Sequence, residues 1–108
     1  MILFNGQITK NGKYVVYVLD DENFNYKGKL DPCLPVRNHS PDGFCWGYGG
    51  SGHAQLALAL LYYVTEDDEE TTLRLYQEFK CDIISKLDIN ADWILTKEEI
   101  KSYIEAKK

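Results

Sequence analysis

The sequence predicts an α+β fold: a small antiparallel β-meander packed on a buried central helix and two further helices, in a single domain over residues 1–108. Three observations predict it. Short runs rich in Val, Ile, Leu, Phe and Tyr are separated by turn residues near the start. A segment from His53 to Leu61 is apolar on every side, and two later stretches carry an apolar stripe opposite a charged one. At 44% hydrophobic and 13% aromatic residues, the chain has the means to build its own core.

Residues 2 to 8, 13 to 19 and about 24 to 30 read as the strands, because Lys10-Asn11-Gly12 and Asp20-Asp21-Glu22-Asn23 are turn signals between them. From Asp31 to Gly50 three prolines and four glycines, with Asn38 and Ser40, make a long irregular loop, and loops of that length in compact domains are usually functional. A helix follows from Ser51 or Gly52 to about Val64, with Ser51 as its N-cap. Leu56, Leu58, Leu60 and Leu61 with Ala54, Ala57 and Ala59 leave it no polar face, so burial on nearly every side is expected. The second helix, about Asp68 to Leu87, sets Leu73, Tyr76, Phe79, Ile83 and Leu87 opposite Arg74, Glu78, Asp82 and Lys86. Trp93-Ile94-Leu95 reads as a short extended piece, and Thr96-Lys97-Glu98-Glu99 as a capping box opening a last helix to about Ala106.

Composition excludes some function classes. The net charge of −5 falls wholly in the second half, which holds the acidic run Glu66 to Glu70, and no basic stripe suits duplex nucleic acid. No apolar run approaches the ~18 residues that span a bilayer. The start, MILFNGQITK, lacks the layout of a signal peptide, so a soluble, cytoplasmic protein without membrane contact is expected. Three cysteines in such a chain read as reduced thiols.

Five of the eight glycines lie between residues 43 and 52, at the mouth of the apolar helix. A helix start offers unpaired N–H donors and partial positive charge, and glycines clear side chains out of a ligand's way. Arg37, Asn38, His39 and Ser40, with Tyr48, Gly49, Gly50, Ser51, Gly52 and His53, therefore make a candidate cradle for a nucleotide phosphate. Trp46 and Tyr48 would stack on a base, and Arg37, His39 and His53 would surround the anion. The competing reading is that these glycines only let a buried helix enter tightly while Trp46 and Tyr48 fill the core. No lysine follows the glycines as in a Walker loop, and the spacing is not that of a dinucleotide fingerprint.

His39 and His53 are the candidate acid–base residues, with Ser40 and Cys45 as the nearby nucleophiles. Cys33, His39, Cys45 and His53 number enough for tetrahedral zinc, but their spacing contains none of the usual ligand clips, so neither metal nor other cofactor is expected. Cys81 falls on the polar edge of the second helix and reads as structural. Asp20-Asp21-Glu22 lacks the alternation of a calcium loop.

RNHSPDGFCWGYGGSGHAQLALALL closely resembles the signature of an uncharacterised domain-of-unknown-function family of short proteins from phages, plasmids and bacteria. The likeness continues into LYQEFKCDIISKL and WILTKEEIKSYI, covering roughly residues 13 to 105. Members often have proline where this chain has His53, and Cys33 and Cys45 are not part of the pattern. A fainter likeness, in Gly52-His53, Ala57 and Leu60-Leu61, is to viral ring nucleases that destroy cyclic tetra-adenylate and so disarm type III CRISPR defence. It implies that His53 is a catalytic or ligand-binding histidine.

Two functional expectations follow. The first is a phage-type anti-defence protein, acting in the host cytoplasm, that binds a nucleotide or cyclic-nucleotide immune signal and sequesters or cleaves it, a binding protein before an enzyme. The second is an anti-CRISPR-like inhibitor that contacts a host defence protein through Glu66 to Glu70 with Tyr62 and Tyr63 beside them. A homodimer is compatible with either, and a chain whose motif is all core is the remaining alternative.

Overall fold

The computed structural model describes residues 1–20, 25–38, 43–47 and 50–107, with 25–27 in backbone only. It is α+β. Strands β1 (Ile2–Ile8), β2 (Tyr14–Asp20), β3 (Asn25–Lys29) and β4 (Trp93–Thr96) form one antiparallel sheet in the order β3-β2-β1-β4. Helices α1 (Ser51–Val64), α2 (Glu69–Asp82) and α3 (Lys97–Ala106) complete it.

Period-two alternation decides which face of the sheet is covered. Phe4, Val16, Val18 and Trp93 point inward and join α1 residues in one core, whereas Leu3, Val15, Leu19 and Ile94 on the other face stay partly or largely exposed. The short extended piece at Trp93 is thus a fourth strand. It pairs with β1, Phe4 opposite Leu95 and Gly6 opposite Trp93, and its pairing partner lies too far back in sequence for local pattern to reveal.

α1 is central. Alanine and leucine favour the helix, and the ten buried residues from His53 to Leu61 plus Val64 leave it no apolar stripe because almost all sides are inside. Ala57, Leu58 and Leu61 have no exposed surface at all. It ends at Thr65, after which Glu66 and Asp67 turn the chain through φ of 56° and 68°.

α2 is shorter than the pattern predicts. It stops at Asp82 and gives way to a 3-10 turn, Ile84–Lys86. Around this change the Ser85 hydroxyl donates to the Cys81 carbonyl at 2.6 Å, a local bond that competes with the helix ladder, and the Gly47 N–H joins the 3-10 turn at the Ile84 carbonyl at 3.0 Å. The buried side of α2 is Thr72, Leu75, Tyr76 and Phe79, with Leu73 only half-buried. At α3 the expected capping box is present: the Thr96 hydroxyl accepts from the Glu99 N–H and the Glu99 carboxylate from the Thr96 N–H.

Candidate functional site

The mouth of α1 is built by close packing. Gly47 has φ of +102°, and a Cβ there would lie 2.7 Å from the Ile89 side chain. A Cβ on Gly52 would sit 3.1 Å from the backbone nitrogen of Cys45, so the chain before the helix lies directly against its first turn. At Gly50 the neighbour is the ring of His53, whose Nδ1 would be 3.3 Å from an added Cβ. Gly47, Gly50 and Gly52 therefore serve close packing around the helix start, whereas Gly43, at φ of +122°, has open space where a Cβ would stand.

The N-cap is Gly50 rather than Ser51, which is the first helical residue. As a glycine the N-cap brings no side chain to the helix start, and no acid lies in the first turn. Its ladder begins with Ala54 donating to the Gly50 carbonyl at 3.0 Å, so the N–H groups of Ser51, Gly52 and His53 precede it. Gly50 and Ser51 are exposed and Gly52 is half-buried. The other two helices are capped differently. Asp68 accepts from the Thr71 N–H at 3.1 Å, with Glu69 and Glu70 in the first turn of α2; Thr96 caps α3, with Glu98 and Glu99 following. The Thr71 hydroxyl, then the Thr71 N–H, hold the Asp68 carboxyl below its ordinary range.

Gln55 carries a role that sequence reading missed. Although polar, it has no exposed surface, and its side-chain amide donates to the carbonyls of Pro32 and Arg37, the latter at 3.0 Å. It pins the loop before the motif onto α1, about one turn in from Ser51. Arg37 and Asn38 themselves are exposed. A lone glutamine in an apolar helix was the available signal, since a buried amide has to find partners.

Trp46 is fully buried. Its indole N–H donates to the Ala91 carbonyl at 3.1 Å, and its ring meets Tyr14 and Trp93 edge-to-face at 4.7 and 5.4 Å between centroids. It packs, and presents no face to a ligand. His53 is 2% exposed, below the helix mouth. Burial, its largest influence, lowers the imidazole pKa; the nearby Trp46 backbone opposes this and Lys80 adds to it, so the ring is neutral at pH 7. His39, Ser40, Tyr48 and Gly49, the remaining candidates, lie outside the described residues.

A second region gathers the acidic run. Glu66 to Glu70 are all exposed, as is Tyr63 at 36%, beside a cleft of about 280 Å³ between the Asp31–Cys33 segment and the end of α1. Tyr62, Asp31 and Asp67 line it with Cys33, whose thiol burial, then Asp31 and Asp67, push up to about 11. That thiol is protonated at neutral pH and is no nucleophile. Cys33, Cys45 and Cys81 are all free, Cys81 exposed on α2. Among the described residues no group of three or more His, Cys, Asp or Glu could hold a metal ion, and no helix is long and apolar enough to cross a membrane.

No curated protein and no solved structure matches the chain. A family model does match, over residues 4–106, nearly the whole length: the chain belongs to the family of unknown function DUF6166.

Proposed function

We propose that the protein binds a small phosphate-bearing molecule, of the nucleotide or cyclic-nucleotide class, at the start of α1. One observation carries the reading: among the three described helices α1 alone begins at an exposed glycine N-cap with no acid in its first turn, while α2 and α3 satisfy their starts with their own carboxylates and hydroxyls. An anion is what such a helix start attracts. Two described cations belong to the surroundings: Arg37, on the loop that Gln55 ties to α1, and Lys80, whose charge acts on His53 in the first turn. Sequestration fits better than cleavage, because His53 is neutral and buried and would need to be uncovered to move a proton. In a phage-type anti-defence protein, such binding would withdraw a nucleotide immune signal from its receptor.

Calorimetric titration with nucleotides and cyclic nucleotides tests this. Arg37→Ala should weaken the bound member by about 1 to 3 kcal/mol, the range for a charge-assisted hydrogen bond. Ser51→Asp is the sharper variant: a carboxylate in the first turn favours the helix yet repels the anion, so the melting temperature should hold or rise while binding disappears. Equal binding by Ser51→Asp, or no binding by any member of the panel, sinks the reading.

A second reading keeps the exposed acids and Tyr63 as a surface for a host defence protein, favoured by the cleft beside them. Neutralising Glu66, Glu69 and Glu70 would then slow association steeply at low salt and little at high salt, since steering is screened over about 8 to 10 Å near physiological ionic strength.

A further inference from the structure

The sheet has a face that no described helix covers, because the buried residues of all three helices join the single core on its other side. By strand alternation this open face carries Leu3, Val15, Tyr17, Leu19 and Ile94, with Asn5, Gln7 and Thr96 between them. None of these eight is acidic, although the chain holds 17 Asp and Glu; Asp92, just before β4, brings a carboxylate to the edge of the face at the Ile8 N–H. Ile94, at 61% exposure, is the most exposed large apolar side chain described in the molecule.

Register gives the face its shape. Ile94 pairs with Asn5, and Asn5 with Tyr17, so the three stand in one row across β4, β1 and β2. On one side of β1 Ile94 projects. On the other, Asn5, Gln7, Tyr17 and Leu19 line a shallow depression of about 250 Å³.

We propose that this face is a self-association surface, on which a second copy of the chain packs about a two-fold axis running along β1. Such an axis lays the partner copy's β4 over β2 in the same row, and it seats the Ile94 side chain of each copy in the depression of the other. The match is isologous, each copy giving the knob and the hole. The depression that takes Ile94 is lined by uncharged residues; the Asp92 carboxylate lies at the edge of the face, held by the Ile8 N–H at 2.9 Å, and Lys29 on β3 falls outside the three overlapping strands. The amides of Asn5 and Gln7 both donate and accept, so they suit a surface facing its own copy. Strand spacing and rise give an overlap on the order of 300 Å² per copy, well under the ~800 Å² of a standard stable interface, so the dimer is weak and concentration-dependent.

Sedimentation of the full chain between about 10 μM and 1 mM, the range where a weak dimer titrates, tests this. The wild type should pass from monomer towards dimer, with amide NMR shifts on dilution confined to β1, β2 and β4. Ile94→Lys should raise the dissociation constant at least about tenfold, a loss of roughly 1.4 kcal/mol, with unchanged melting temperature. Gln7→Lys, at the rim of the depression, should do the same. A chain that stays monomeric throughout overturns the proposal. So does a dimer indifferent to both variants, a dilution response mapped to Tyr63–Glu70, or a different protein or small molecule that occupies this face on a monomer.

Discussion

His53 and Leu58, five residues apart on α1, show how burial decides what a side chain does. Leu58 has no exposed surface, and Leu58→Ala should lower the unfolding free energy by about 2 to 5 kcal/mol in a urea titration, as cavity-forming changes do. His53 makes a pH prediction. Burial holds its folded-state pKa below the unfolded value of about 6.5, so on acidification the unfolded chain takes up a proton before the folded one does. Its contribution is therefore complete above about pH 6.5 and declines as pH falls towards the folded-state pKa. Melting temperature plotted against pH from 7.5 to 5 should slope downwards towards acid, and His53→Gln should flatten that slope; an unchanged slope would show that the histidine does not titrate in this window.

At the scale of elements, α1 and the loop it holds are one unit joined by Gln55. Gln55→Leu keeps the bulk but strips the donor from the Pro32 and Arg37 carbonyls, and should cost about 1 to 3 kcal/mol. Limited proteolysis should then cut first between Asp31 and Asn38. Elements with a local cause were legible in the sequence: the β1–β2 hairpin from its turn residues, α1 from its unbroken apolar run, α3 from Thr96 and Glu99. What depended on distant partners was not. The 3-10 turn after α2 is tied to the distant Gly47 through the Ile84 carbonyl, and β4 is a strand because Leu3 to Gly6 lie alongside it. The same divide runs through the candidate site. Glycine spacing pointed to the helix mouth, but composition alone could not tell that Trp46 turns inward to Tyr14 and Trp93, or that the His53 ring lies against Gly50.

For the whole molecule, one sheet edge matters more than its four residues suggest. β1 lies near the start of the chain, yet one of its two neighbours is β4, with Leu3 opposite Thr96. Trp93 also closes the core over Trp46. A chain cut after Asn90 should accordingly lose cooperative thermal melting, whereas removing Lys107 and Lys108 should not. During synthesis, β1, β2 and α1 leave the ribosome early, carrying the most apolar helix of the protein and an unpaired β1 edge. Their last neighbour arrives only with residues 93–96. Between the synthesis of Val64 and that of Trp93 the nascent chain therefore carries both surfaces uncovered, and its yield in a cell should depend on chaperone supply and elongation rate as well as on the stability of the finished fold.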